Sequence, residues 1–88
     1  MSETSMEVRR SEMSEEMQRE ALQVALLAVN MYTDGYGIAT YIRKEFDRKH
    51  GKYWQCIVGN CGYSVSHNTD SYINFSVDGN RIVLFKTD

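Results

Sequence analysis

The side chains able to do covalent or metal chemistry in this 88-residue sequence are few: Cys56, Cys61, His50 and His67. Cys61 and His67 stand six residues apart. On one strand that even spacing puts both on the same face but about 20 Å apart along it, beyond the reach of a thiol–imidazole pair. Two cysteines are too few for a disulfide framework and lack the second pair of ligands that a structural zinc site needs. No glycine-rich phosphate loop, paired-carboxylate constellation or nucleophile motif occurs. A thiol enzyme working through Cys61 or Cys56 would require a depressed thiol pKa and rapid alkylation. The better reading is no enzymatic activity, no cofactor and no metal site, with Cys56 a buried inert thiol and His67 in a structural or peptide-contacting role.

What remains is the chemistry of the main chain. Cys61 to His67, Cys-Gly-Tyr-Ser-Val-Ser-His, is β-prone yet carries too little apolar surface for a core strand. Such a strand belongs at a sheet edge, where unpaired N–H and C=O groups accept another chain.

The surrounding elements must build that edge. Met1 to Ser5 are polar, uncapped and expected to be mobile, and Met6-Glu-Val-Arg-Arg10 alternates as an optional short strand. Ser14, followed by Glu15 and Glu16, supplies an N-cap hydroxyl and carboxylates at the positive end of a helix. Apolar residues at Met17, Ala21, Val24, Ala25, Ala28, Met31 and Tyr32 continue that helix to near Thr33, with Leu22, Leu26 and Val29 widening the stripe. Met13, Met17 and Met31 read as packing residues.

The run Thr33-Asp34-Gly35-Tyr36-Gly37 breaks the pattern, and Asp34 can cap a second helix from about Tyr36 to His50. Ile38, Ala39, Tyr41, Ile42 and Phe46 form its apolar face. Glu45 and Lys49 offer an i,i+4 pair, and Gly51 supplies the C-terminal cap. Basic residues from Arg43 to Lys49 interleave with Glu45 and Asp47, the pattern of a solvated helix face rather than a nucleic-acid patch.

The period then changes to two. Tyr53 to Gly59 reads as a strand in which Tyr53 and Trp54 fill core; Ser71 to Val77 alternates, and Asp78-Gly79 is a hairpin signal returning the chain as Asn80 to Lys86. Ile73, Phe75, Val77, Ile82 and Leu84 share one face toward the helices. Tyr72, Asn74, Ser76, Arg81, Val83 and Phe85 share the other, which is either solvated or a subunit contact. The sum is one α+β domain over residues 1–88.

A net charge of −2 gives no overall attraction to phosphate backbones or anionic lipid, so nucleic-acid binding is not expected. The longest apolar run, Val24 to Val29, is far short of the roughly 20 residues of a membrane span, and no secretory leader is visible. The sequon Asn74-Phe75-Ser76 would matter only in a secreted chain.

Four segments together resemble a known family: Met13-Ser-Glu-Glu-Met-Gln18, Ile42 to His50, Trp54 with Cys56-Ile-Val-Gly59, and Leu84-Phe-Lys86 are similar to the eight-kilodalton light chain of cytoplasmic dynein. The resemblance runs through nearly the whole chain. It implies two helices packed on an antiparallel sheet of four to five strands, in a homodimer whose edge strand is exchanged to join the partner's sheet. It implies two grooves at the dimer interface, each taking an extended peptide, often containing Thr-Gln-Thr, by β-strand addition. Partners would be the dynein intermediate chain and other proteins with short linear motifs, in a cytoplasmic, cytoskeleton-associated setting alongside the microtubule motor.

Carried over, the groove comprises Asn60, Cys61, Gly62, Tyr63, Ser64, Val65, Ser66 and His67, with Tyr72, Asn74, Ser76, Arg81, Val83, Gly35 and Tyr36. Gln55, Ser64, Val65 and Ser66 fall at the dimer interface. The chain departs from the family in several places. It is one residue shorter around Asn60 and Cys61, and Cys61 stands for a groove phenylalanine. Tyr63-Ser64 reverses the usual order, and Ser66 stands for threonine. Gly35 and Tyr36 replace a Glu-Lys pair, Asn74 and Ser76 replace tyrosines, Arg81 occupies a small apolar position, and Gln55 replaces a histidine near the two-fold axis. Aromatic area is lost and a cation gained, so the expected motif differs from the family's, with a carboxylate facing Arg81. The alternative is a specialised relative with a structural role and altered or lost motif recognition.

Overall fold

Two capped helices and four strands are laid out in the order the hydrophobic periods dictate. The computed structural model describes residues 5–59 and 70–87. The elements are β1 (Met6–Ser11), α1 (Glu15–Met31), α2 (Gly35–His50), β2 (Trp54–Val58), β3 (Tyr72–Val77) and β4 (Asn80–Lys86).

Helix α1 starts where Ser14 Oγ accepts the Met17 N–H at 3.2 Å, with Glu15 and Glu16 in the first turn. Ala21, Val24, Ala25 and Ala28 are its buried stripe. It stops at Met31, short of the expected Thr33, because Tyr32 turns extended while its N–H still reaches the Ala28 carbonyl at 2.9 Å. The last turn therefore overhangs the core. Met31 is 55% exposed and does not serve as packing, whereas Met13 and Met17 do pack.

In α2, Asp34 Oδ2 accepts the Gly37 N–H at 3.1 Å, and Ile38, Ile42 and Phe46 are buried at i,i+4 spacing. The helix ends on Gly51 at φ 82°, a conformation that favours glycine. The expected Glu45–Lys49 pair is replaced by Arg48 to Glu45 at 2.7 Å, while Arg43 pairs with Asp47 at 3.5 Å. Arginine's forked donor, one residue nearer, competes better for the carboxylate than the lysine does.

The strands form one antiparallel sheet in the order β1-β3-β4-β2. Asp78 and Gly79, at φ 50° and 81°, make the tight β3–β4 hairpin, as both central residues of such a turn must have positive φ. The optional first strand is present and pairs with β3, its register shifting between Val8 and Arg10. That leaves Arg9 as a bulge, a feature that discourages pairing on the outer side of β1. Ser5, expected to be mobile, is held: Asp78 donates its N–H to the Ser5 carbonyl at 2.7 Å.

Ile73, Phe75, Val77, Ile82 and Leu84 pack with Ile38, Ile42, Phe46 and the α1 alanines in the main core. Phe46 meets Trp54 edge-on at 4.9 Å between ring centroids. Trp54 is buried, but Tyr53 is 59% exposed and fills no core, since it precedes the strand rather than belonging to it. Among the described residues no helix is long and apolar enough to cross a membrane.

Candidate functional site

Among the described residues β2 is the last strand on one side of the sheet, and its outer side defines the first part of the site. Its pairing with β4 sets Gln55 against Phe85 and Ile57 against Val83. Beyond its ends, the Gly59 N–H bonds the Arg81 carbonyl at 3.0 Å and the Thr87 N–H bonds the Tyr53 carbonyl at 3.0 Å. In an antiparallel ladder, hydrogen-bonded pairs alternate. Residues 53, 55, 57 and 59 therefore use their main-chain groups on β4, while Trp54, Cys56 and Val58 direct theirs away. The Trp54 N–H is taken by Asp47 Oδ1 of α2 at 2.9 Å. Among the described residues, the N–H and C=O groups of Cys56 and Val58 are left on an open sheet edge.

Asp47 thus fastens the start of β2 to α2 while also pairing with Arg43. Sequence reasoning placed it on the solvated face of α2. A carboxylate seven residues ahead of a strand carries no local signal for such a bond.

The side chains of Trp54, Cys56 and Val58 point into the main core. Burial pushes the Cys56 thiol up to about 12, against a smaller downward pull from Arg43. Its sulfur stays protonated at neutral pH, the condition of an inert thiol.

The second part of the site is the outer face of the sheet. Gln55 and Ile57 of β2, Arg81, Val83 and Phe85 of β4, and Tyr72, Asn74 and Ser76 of β3 all project there, as their cross-strand pairs require. This face is not simply solvated. Val83 is 1% exposed, Phe85 7% and Tyr72 8%, and they form a second apolar cluster with Ile57. The Arg10 guanidinium lies 5.8 Å from the Tyr72 ring centroid, close enough for cation–π attraction. Toward the hairpin the face becomes polar, with Ser76 opposite Arg81.

Tyr72, Asn74, Ser76, Arg81 and Val83, all expected in a groove, are therefore brought together, and Gln55 joins them as an exposed residue. Gly35 sits against the end of β2, where a Cβ built on it would lie 3.6 Å from Val58. Tyr36, 80% exposed, instead lines a cleft of about 440 Å³ with Tyr32, Asp34, Thr40 and Tyr41, which shares no residue with the sheet face. No sequence period announces this cleft. It exists because Gly37 lets the Tyr32 ring lie over the first turn of α2: a Cβ there would come within 2.8 Å of Tyr32 Cδ1. Asn60, Cys61, Gly62, Tyr63, Ser64, Val65, Ser66 and His67 lie outside the described residues. Among the described residues, no group of three or more His, Cys, Asp or Glu side chains is gathered to hold a metal ion.

Comparison with known proteins gives consistent results. Residues 5–87 match the family model for dynein light chain type 1. A cytoplasmic dynein light chain of Emericella nidulans is 43% identical over 82 residues, covering 92% of this chain and 87% of the relative. A dynein light chain of Schistosoma mansoni is 40% identical over 88 residues, covering 99% of each. Among solved structures, the dynein light chain-like domain of a Fasciola hepatica calcium binding protein superposes with a TM-score of 0.83, covering 98% of this chain and 94% of that one. At 18% identity that likeness concerns the fold.

Proposed function

The chain belongs to the dynein light chain family, and from that premise we propose that it is a non-catalytic dimeric hub for short linear peptide motifs. Each of two grooves at the dimer interface binds one extended peptide by β-strand addition, and the two grooves present two partner chains side by side. The observation that carries the reading is the edge of β2, where alternate residues offer main-chain donors and acceptors unpaired among the described residues, beside a sheet face with an apolar centre. A second copy supplies a strand to that edge, drawn from Ser64 to Ser66, with Gln55 close to the two-fold axis. A peptide then adds to the exchanged strand, so main-chain bonds give affinity and side-chain pockets give specificity.

Bivalency follows from the dimer. Once one motif docks, its tethered twin meets the other groove at an effective concentration on the order of mM, and weak motifs bind as pairs. The dynein intermediate chain is one such partner, in a cytoplasmic, cytoskeleton-associated setting. The inert Cys56 thiol agrees with a non-catalytic role.

The test is calorimetric titration with a Thr-Gln-Thr-containing peptide, together with the mass in solution by light scattering. A dimer binding one peptide per chain at micromolar affinity supports the hub. A dimer that binds none moves the assignment to the specialised relative that has lost motif recognition, and a monomer refutes the edge-pairing argument.

A further inference from the structure

Arg81 is out of keeping with the other arginines of the chain. Arg9, Arg10, Arg43 and Arg48 each lie within 4 Å of a carboxylate, on Glu7, Glu12, Asp47 and Glu45 respectively. Arg19 is fully on the surface of α1, where water serves it. Arg81 is half-buried and, among the described residues, has no ion pair, and its buried Nε–H has no acceptor.

A guanidinium held partly out of water without an anion is an uncompensated cost, and folding removes such costs unless something else uses the group. The described residues offer no intramolecular remedy. Along the row of cross-strand pairs, Arg81 faces Ser76, and Ser76 faces Glu7 on β1. Two strand spacings put Glu7 about 10 Å away in backbone terms, and its carboxylate is 3.9 Å from Arg9 instead.

Resting on the hub reading, we propose that Arg81 is a specificity-determining residue that selects peptides carrying an aspartate or glutamate beside the docking motif. The ligand carboxylate accepts from the terminal nitrogens of the guanidinium, which are not buried as Nε is, as a bidentate pair, the geometry that guanidinium groups favour. The same face supplies the context. Val83, two residues along β4, begins the buried apolar cluster with Tyr72, Phe85 and Ile57, so Arg81 stands where the closed apolar part of the face gives way to its polar end. Charge complementarity sets the sign: Arg81 is the cation among the groove residues named on this face, and its neighbours Ser76 and Val83 are neutral.

The test uses a set of fluorescent Thr-Gln-Thr peptides in which each flanking position carries, in turn, Glu or Gln. Binding anisotropy is measured on the full chain, on Arg81→Met and on Arg81→Lys. At one position the Glu peptide binds the parent protein roughly tenfold more tightly than its Gln twin, the scale of a charge-assisted hydrogen bond. Read as the ratio of Glu to Gln affinities within each protein, the preference shrinks in Arg81→Lys and vanishes in Arg81→Met. The Arg81 Nε–H nitrogen resonance shifts with the Glu peptide and not with the Gln peptide. Absence of any Glu preference, or its persistence in Arg81→Met, overturns the proposal and leaves the hub reading standing. Failure of every peptide to bind overturns both. Loss of the dimer in Arg81→Met, seen by light scattering, would put a carboxylate of a second copy against Arg81 and also overturn it.

Discussion

Removing the Asp47 side chain tests whether α2 positions the open edge of the sheet. Asp47 Oδ1 takes the Trp54 N–H at 2.9 Å, and Oδ2 takes Arg43 at 3.5 Å. In Asp47→Ala the N–H of a residue only 1% exposed loses its acceptor. An orphaned buried donor costs about 1–3 kcal/mol, and the bond to a charged acceptor puts this one in the upper half. Asp47→Asn keeps an acceptor oxygen and loses only the ion pair. Its partners are 40% and 27% exposed, so solvent screening holds that loss to about 0.2–1 kcal/mol.

The assay is urea unfolding at fixed protein concentration, followed by the fluorescence of the single tryptophan, which is Trp54 itself. With a slope of about 1–2 kcal/mol per M for a domain of this size, the alanine variant unfolds about 1–3 M earlier and the asparagine variant about 0.1–1 M earlier. Equal losses in both variants would show that charge rather than the hydrogen bond matters. A parent-like midpoint in Asp47→Ala would refute the anchoring of β2 altogether.

Four further outcomes are expected. Arg81→Met, in the absence of ligand, is neutral or stabilising by about 1 kcal/mol, because it removes an unsatisfied buried N–H at similar volume; a loss above that, by urea titration, would show that Arg81 is already satisfied. The folded-state thiol of Cys56 lies above its unfolded value, so its contribution is full below about pH 9 and lost as pH rises toward about 12. The stability of the parent relative to Cys56→Ala then falls by up to about 1.4 kcal/mol per pH unit across that window, and a flat difference would contradict the burial. Glu20→Ala loses about 1 kcal/mol because it breaks the 3.0 Å contact between Glu20 Oε2 and His50 Nε2 that ties α1 to the end of α2, whereas Glu20→Gln loses less; thermal melts separate the two. With glutamine at position 55, dissociation of the dimer shows little pH dependence between about pH 5 and 7, and a dimer that falls apart on mild acidification would reject that role for Gln55.

Much of this architecture was legible in the residues alone because it is governed by local rules. Ser14 and Asp34 cap helices through hydroxyl and carboxylate oxygens that reach only three residues ahead. The Asp78-Gly79 turn and the alternation of Ile73, Phe75 and Val77 follow from backbone sterics and the period of a strand. The outer-face set of Tyr72, Asn74, Ser76, Arg81 and Val83 followed from the same parity once the hairpin register was known. What sequence could not decide depends on distant partners. Tyr53 and Trp54 are neighbours of similar character, and only the approach of Phe46 determines which is buried. The order of the described strands, which puts β2 at one end of the sheet and β1 beside β3, comes from burying both helices on one face, a long-range requirement with no sequence period. The bond from Asp47 to Trp54 and the missing partner of Arg81 are of the same kind, since each depends on which groups the folded chain brings within about 3 Å.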